Sequence, residues 1–419
     1  MKKTIWLVNY YAMPPEHESR LRTIKFAQYL KKLGYNTMVI SSSNLHNKEI
    51  NLIEDNSNFK FANYDGIDFI LLNTLKYQSN SLKRFISLFL FHLKLHLVSK
   101  KFPKPDFIVH TCLPPFGNIS YFTAKKFKAK YIAEVLDLWP ESFVSFGLIK
   151  PSNPALRLLY YAEKFIYTKA DALVFSMEGG IDYLRNKKWL KSQGGPVSDE
   201  KVFYINNGVD LTDFDYFKKN FKTEDADLEN DAFFRVVYIG SIRHANNVQR
   251  LIEAASILQP HKQVKILIYG DGGERQPLIE YCKQNNIHNV LFKDKWVEPK
   301  YVPYILSKSS LNILNYFPND IFQYGGSQSK SFQYMASGKP ICSNLRMGYC
   351  PITKYHLGIS KEFNSAAEYA NAIEYFINLD GNEYQKLCDN ARDAAKNYDY
   401  SYLVELFNQI LDSQNELRK

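Results

Sequence analysis

Cysteine is scarce. Cys112, Cys282, Cys342, Cys350 and Cys388 are the five in 419 residues, scattered and in no CxxC spacing. That usage argues for a reducing compartment and against a structural zinc. No acidic cluster has a metal-ligand spacing, and the scattered histidines support none, so no metal is expected. No stretch is long and apolar enough to span a bilayer. Met1-Lys2-Lys3 ahead of Ile5–Val8 resembles a signal peptide only briefly. The apolar run ends at Asn9, and a first buried strand is expected instead. Internal repeats and low-complexity tracts are missing as well.

Acid is lacking from one long segment. Phe69 to Pro105 holds no Asp or Glu, while Lys76, Lys83, Arg84, Lys94, Lys100, Lys101 and Lys104 alternate with Phe, Leu, Ile and Val. A basic helix with this much apolar surface suits the interface of an anionic membrane, burying Phe and Leu below the headgroups. The same run also fits a core helix with a solvated basic edge. Residues 1–210 carry 29 Lys+Arg against 18 Asp+Glu, and residues 211–419 carry 24 against 25. The whole positive excess therefore lies in the first half, which points to an anionic surface or ligand there. Nucleic acid is not the expected partner, because the charge lies beside aliphatic residues rather than on an aromatic stacking platform.

What is present is a globular composition, 45% hydrophobic and 23% charged, too long for one ordinary core. Continuous apolar runs predict strands at Ile5–Asn9, Thr37–Ser41, Phe69–Leu72, Phe107–His110, Tyr131–Val135, Leu173–Ser176 and Val202–Ile205. In the second half they predict Val236–Gly240, Lys265–Tyr269, Val290–Phe292, Leu311–Leu314 and Ile341–Ser343. Runs without alternation suit parallel strands covered on both faces. Helical patterns such as Arg22–Leu33, Asn247–Leu258 and Ser329–Ala336 lie between them. The expected fold is α/β, with two Rossmann-like, doubly wound parallel-sheet domains facing a cleft. Turn chemistry at Asn206-Asn207-Gly208-Val209-Asp210 divides them, giving domains at 1–210 and 211–395. A helix in 396–419 is expected to pack back toward the first domain.

The most informative stretch is Tyr324 to Pro340, YGGSQSKSFQYMASGKP. A glycine-rich turn feeding a helix leaves backbone N–H groups unpaired, and the positive end of the helix dipole favours an anion, most simply phosphate. Lys330 in the first turn is unfavourable unless a negative ligand meets it. The alternative is an ordinary loop with Ser327 or Ser329 as N-cap. Two further glycine-bearing loops follow strands: Gly240-Ser241-Ile242-Arg243-His244 and Gly270-Asp271-Gly272-Gly273-Glu274-Arg275. The second lacks dinucleotide-fingerprint spacing.

With these segments in view, the chain resembles a family-four glycosyltransferase of the GT-B fold. It is most similar to the branch of capsule, O-antigen and exopolysaccharide biosynthesis that includes fucosamine-type transferases. The resemblance rests on Asn9-Tyr10-Tyr11-Ala12-Met13-Pro14-Pro15 with Arg22, on Glu134-Val135-Leu136-Asp137-Leu138-Trp139-Pro140-Glu141-Ser142, on Asn206–Asp210 and on Tyr324–Pro340. It implies a retaining transfer of a sugar from a nucleotide-diphosphate sugar, with a UDP-sugar the expected donor. The implied acceptor is a hydroxyl of a polyprenyl-diphosphate-linked glycan, met by a peripheral protein at the cytoplasmic face of the membrane.

The family places two glutamates with seven residues between them, where this chain has Gly325 and Gln333. It also places Arg and Lys where Ser241 and Asn246 stand, with Arg243 between them. Arg243 and Lys330 are therefore the implied diphosphate cations. Gly240, Ser241, Gly270, Gly273, Glu274, Gly325, Gly326, Ser327 and Gln333 form the implied donor set. Trp296 and Val297 are expected against the base, although Trp296 also fits as a filler of a hydrophobic gap. Pro14, Pro15, Arg22 and Glu141 are implied on the acceptor side. Asp137 falls where many relatives carry an active-site histidine; it either orients the acceptor or takes its proton, or merely caps the next helix. The loss of both glutamates leaves a second implication, a non-catalytic nucleotide-sugar-binding subunit or sensor.

Overall fold

The structure is a computed structural model, and it describes residues 2–17, 21–46, 50–55, 57–77, 82–113 and 115–416. The end of the predicted tail, 417–419, lies outside the described residues. Packing divides the chain into two compact units, Met1–Asn206 with Tyr400–Lys419, and Asn207–Asp399. The break falls four residues before the turn-based boundary. Asp210 explains the difference, because it caps the helix Leu211–Asn220 by accepting from the N–H of Asp213.

The first unit contains β1 (Thr4–Val8), β2 (Asn36–Ser42), β3 (Phe59–Tyr64), β4 (Ile67–Leu72), β5 (Phe107–Thr111), β6 (Lys130–Val135), β7 (Ala172–Phe175) and β8 (Val202–Tyr204). They form one sheet in the order β3-β4-β2-β1-β5-β6-β7-β8. All neighbours pair in parallel except β3 with β4. β1 is buried along its length, as a central strand covered on both faces must be. β3 was not expected from the sequence. It is a half-exposed edge strand without a continuous apolar run, joined to β4 by the turn at Asp65-Gly66.

The helices Arg22–Lys32 and Tyr400–Glu416 cover one face of this sheet. Phe26 meets Phe407 at 5.4 Å between ring centres, and Tyr400, Leu403, Val404 and Leu411 share a core with Ile5 and Phe69. The helices Leu82–Val98, Gly117–Phe127 and Ala155–Lys169 belong to crossovers that run the other way along the sheet. Right-handed connection places them together on the opposite face.

The second unit contains β9 (Phe234–Ile239), β10 (Val264–Tyr269), β11 (Val290–Phe292), β12 (Leu311–Leu314), β13 (Ile341–Ser343) and β14 (Gly358–Ser360). Their order is β11-β10-β9-β12-β13-β14, and every pair is parallel. β14, a three-residue edge strand, carried no pattern long enough to read. The order reverses beside β9, which brings the loops after β9, β10 and β12 to one end of the sheet.

Candidate functional site

The second unit gathers its glycine loops around one lysine. β9 ends in Tyr238-Ile239-Gly240, and the Tyr238 hydroxyl donates to the Ser241 carbonyl at 2.6 Å. Lys330 Nζ donates to the same hydroxyl oxygen at 3.2 Å and lies 4.5 Å from the centre of the Tyr238 ring and 5.6 Å from that of Tyr316. Gly240 has φ +141, and a Cβ there would fall 2.4 Å from Lys330 Nζ. The missing side chain therefore makes the nook that receives the amine. Among the described residues no carboxylate pairs with it, and burial pushes the amine down to about 7.

Gly270, φ +128, lets the turn after β10 lie against that nook, since a Cβ on it would strike the Gly240 carbonyl oxygen at 1.9 Å. Gly240 N–H donates to Tyr269 O at 3.0 Å and Ile242 N–H to Asp271 O at 2.8 Å, which locks the two loops edge to edge. Gly273 is exposed with open space above its Cα. Glu274 Oε1 is 3.2 Å from His244 Nδ1, and the His244 ring lies 4.4 Å from that of Phe317. Arg275 holds the frame: buried, it donates to Gly270 O at 2.7 Å and to Lys293 O at 2.6 Å. Ser241 and Arg243 are exposed; the Arg243 carbonyl accepts from Asn246 N–H at 2.8 Å, while its side chain makes no hydrogen bond or ion pair among the described residues.

The glycine turn expected at Tyr324–Lys330 is present. A 3-10 turn, Asp320–Tyr324, ends at Gly325 with φ +92, and the helix Ser329–Ser337 begins after Gln328. Neither Ser327 nor Ser329 caps it. Gln328 holds the cap position without a side-chain bond, its amide occupying the space a Cβ on Gly326 would need. The Gln328 side chain thus caps none of the first-turn N–H groups, and Ser331 N–H donates to the Gln328 carbonyl at 3.0 Å; a helix start without its N-cap side-chain bond suits an anion. Gln333 sits half-buried one turn further on. The helix stops at Gly338 in the left-handed conformation, as the sequence indicates.

A cavity of about 670 Å³ opens beside Tyr269 and the loop after β11, lined in part by Lys222, Asp225, Asp227, Lys293, Trp296 and Val297. Lys293 Nζ bridges Asp225 at 2.7 Å and Asp227 at 2.6 Å, and the Tyr269 hydroxyl donates to Asp225 at 2.8 Å. Burial raises the Asp225 carboxyl, but the bonds from Lys293 and Tyr269 outweigh it and hold it below the usual range. Trp296 is 69% exposed, so it does not fill a hydrophobic gap. Among the described residues, no group of three or more His, Cys, Asp or Glu side chains is placed to hold a metal ion.

In the first unit, the residues implied on the acceptor side divide. Asp137 is exposed just beyond the carboxyl end of β6. Pro14 is buried, and Pro15 opens the turn Pro15–His17. Arg22 is only 4% exposed. Its Nε donates to Glu134 at 2.8 Å, its Nη2 to Ile205 O at 3.1 Å and its Nη1 to Asn206 O. It clamps the end of β8 instead of offering its charge outward. Glu141 accepts from the Tyr160 hydroxyl at 2.7 Å and Lys187 Nζ at 2.6 Å, fastening its turn to the helix that follows.

Sequence reasoning missed Tyr238 and Tyr316 as the walls around Lys330. The available signal was a tyrosine two residues before the glycine that ends an otherwise aliphatic strand. It missed the structural use of Arg275 because a buried arginine clamp leaves no periodic signature.

Residues 220–398 match the family model of glycosyl transferases group 1. No curated protein matches the chain. Among solved structures, Anabaena Alr3699/HepE in complex with UDP and glucose is similar over 98% of this chain and 99% of its own, at 15% identity and TM-score 0.66. A glycosyltransferase from Rickettsia africae ESF-5 is similar over 98% and 99%, at 19% identity and TM-score 0.66. The E. coli trehalose-6-phosphate structure bound with UDP-2-fluoro glucose is similar over 97% and 98%, at 12% identity and TM-score 0.72. The chain thus has the two-unit, parallel-sheet GT-B fold of glycosyltransferases, and its second unit carries the match to glycosyl transferases group 1.

Proposed function

We propose that the protein is a retaining glycosyltransferase that moves a sugar from a UDP-sugar to a hydroxyl of a polyprenyl-diphosphate-linked glycan in surface polysaccharide (capsule or O-antigen) biosynthesis. One observation carries the reading: a lysine amine without a carboxylate partner among the described residues, set in a glycine nook in the first turn of a helix whose N-cap residue, Gln328, makes no side-chain cap bond. A half-buried cation without a counter-charge is costly, and a diphosphate supplies what is missing. The UDP and UDP-glucose held by the Anabaena protein support the choice of donor.

In this reading Lys330 and the amides of Gly326–Ser329 take the diphosphate, and Arg243 adds a second cation from the loop after β9. As the bond from the anomeric carbon to the diphosphate oxygen breaks, negative charge grows on that oxygen and these groups stabilise it, with no metal required. The acceptor oxygen forms the new bond on the same face, and Asp137 orients the hydroxyl or takes its proton. Gly240, Ser241, Gly270 and Gly273 let backbone approach the donor, Glu274 and Gln333 face its hydroxyls, and Gly325 shapes the turn. Trp296 and Val297 offer the base an open aromatic wall.

The helix Leu82–Val98 supports a peripheral position on an anionic membrane at the cytoplasmic face. It buries Leu88, Phe91 and Leu95 in the unit and still exposes Leu82, Phe85, Ile86 and Phe89. Among the described residues, no helix is long and apolar enough to cross a membrane. Release of UDP from a UDP-sugar in the presence of lipid-linked acceptor tests the reading, after a thermal-shift panel of UDP-, GDP- and dTDP-sugars selects the donor. Lys330→Ala and Arg243→Ala should each abolish most of that release; unchanged release overturns the diphosphate assignment. Gly325 and Gln333, where the family has carboxylates, favour one second reading, a non-catalytic nucleotide-sugar-binding subunit. Donor binding without turnover on any acceptor would establish it.

A further inference from the structure

The first unit carries a second apolar and basic surface that the sequence reading did not single out. From Ser142 to Ala162 there is no Asp or Glu, while Lys150 and Arg157 are present and exposed. Within this stretch Phe146 is 51%, Leu148 68%, Leu158 67% and Tyr161 69% exposed. Large apolar side chains this open, at this density, mark an interaction site.

The turn bearing the first two is closed by backbone hydrogen bonds. Phe146 N–H donates to Ser142 O at 3.0 Å, Leu148 N–H to Phe143 O at 2.8 Å and Ile149 N–H to the same oxygen at 3.2 Å. Gly147, at φ +69, closes the turn. Phe146 and Leu148 are therefore held out by backbone bonds.

Topology puts this surface in the same helix layer as the other one. The helices Leu82–Val98, Gly117–Phe127 and Ala155–Lys169 form one layer on one face of the sheet. Within it Phe89 contacts Phe116 at 6.2 Å and Phe122 contacts Phe165 at 6.1 Å. Each helix follows a strand in a parallel crossover, so each N-terminus lies at the carboxyl edge of the sheet. Leu82, Phe85 and Phe89 occupy the N-terminal half of the first helix, and Leu158 and Tyr161 the first two turns of the third. The turn with Phe146 and Leu148 precedes that third helix. The exposed apolar groups thus lie along one edge of this layer, on either side of the helix Gly117–Phe127, flanked by Lys83, Arg84, Lys150 and Arg157.

We infer that the Phe146–Leu148 turn and the start of the helix Ala155–Lys169 form a second membrane-insertion element, which enters an anionic bilayer together with the helix Leu82–Val98. The inference rests on the proposed membrane-bound acceptor. Apolar groups that stand proud among cations, with no acid between them, suit headgroups of negative charge over acyl chains. Asp137 lies nine residues before Phe146 in the same connection after β6. Insertion of the turn therefore brings the carboxyl edge of the sheet to the level of a lipid-linked acceptor.

The test uses the full chain with Leu148→Cys or, separately, Phe85→Cys labelled with an environment-sensitive fluorophore. The five native cysteines are all buried and leave the new thiol distinct. The probes are vesicles of phosphatidylcholine alone and of phosphatidylcholine with about 30% phosphatidylglycerol, a content that supplies negative surface potential. The expected result is a blue shift at both positions on the anionic vesicles only. The double variant Phe146→Ser/Leu148→Ser should lose about tenfold in vesicle partition, with UDP binding unchanged. A shift at Phe85→Cys alone overturns the second element and leaves the membrane reading standing. A shift at neither position overturns both, and UDP titration of the same samples reports the donor site independently.

Discussion

Lys330 Nζ donates to the Tyr238 hydroxyl oxygen across 3.2 Å, and that hydroxyl donates onward to the Ser241 carbonyl. The amine is positioned by a neutral chain of bonds and has no carboxylate partner among the described residues. Its charge is available to a ligand, and the free protein bears the cost.

That cost depends on pH. In the unfolded chain this lysine titrates near its ordinary 10.5, and in the fold burial holds it at about 7. Between these values the unfolded state binds the extra proton, so stability contributed at this site rises with pH from 7 towards 10.5 and is lowest below 7. Lys330→Met should therefore raise the melting temperature of the ligand-free protein at pH 6 by several degrees, and by less at pH 9. Thermal denaturation at the two pH values checks it.

The two arginines of the loops after β9 and β10 should behave oppositely. Arg275→Ala removes a buried clamp on Gly270 and Lys293 and leaves two carbonyls unpaired. The expected loss is about 2–4 kcal/mol of stability by denaturant unfolding. Arg243→Ala touches nothing in the fold and should change stability by less than about 0.5 kcal/mol. It should nevertheless lower kcat/KM for the donor by at least about tenfold if it steadies the leaving diphosphate.

Arg22→Met tests the reassignment of that residue from ligand contact to clamp. Glu134 would remain buried without its partner, and the expected loss is about 3–5 kcal/mol. Arg22→Met/Glu134→Gln should recover part of that loss, since the stranded charge is gone. Failure of the double variant to recover any stability would place the role of Arg22 elsewhere.

Trp296→Ala should leave the melting temperature unchanged, because the side chain is largely exposed. UDP should bind this variant about tenfold more weakly if the ring stacks on the base. Titration followed by calorimetry checks both halves.

Much of this was legible in the sequence, for physical reasons. Strands such as Ile5–Val8 and Lys265–Tyr269 are buried on both faces, and burial demands an unbroken apolar run that reads at sight. Gly240, Gly325 and Gly338 announced themselves because only glycine suits their backbone or their close neighbours. Edge strands β3 and β14 were hidden, since a half-exposed strand needs no such run. Arg22 and Glu141 looked like functional charges because a sequence shows a charge without its partner, and their partners, Glu134 and Lys187, are 112 and 46 residues away. Lys330 was legible as a candidate. The tyrosines beside it were not, because Tyr238 on β9 and Tyr316 just after β12 are brought together only by the sheet order.

The most direct test is calorimetric titration of UDP at pH 8 in two buffers of different ionisation enthalpy, which reads protons taken up on binding. At pH 8 the free amine, held at about 7, is largely neutral, and a bound diphosphate should recharge it. The expected result is uptake of close to one proton by the protein and none by Lys330→Met, with affinity falling as pH rises above 7. Equal proton uptake by both proteins, or UDP affinity unaffected by Lys330→Met, would contradict a diphosphate grip at Lys330.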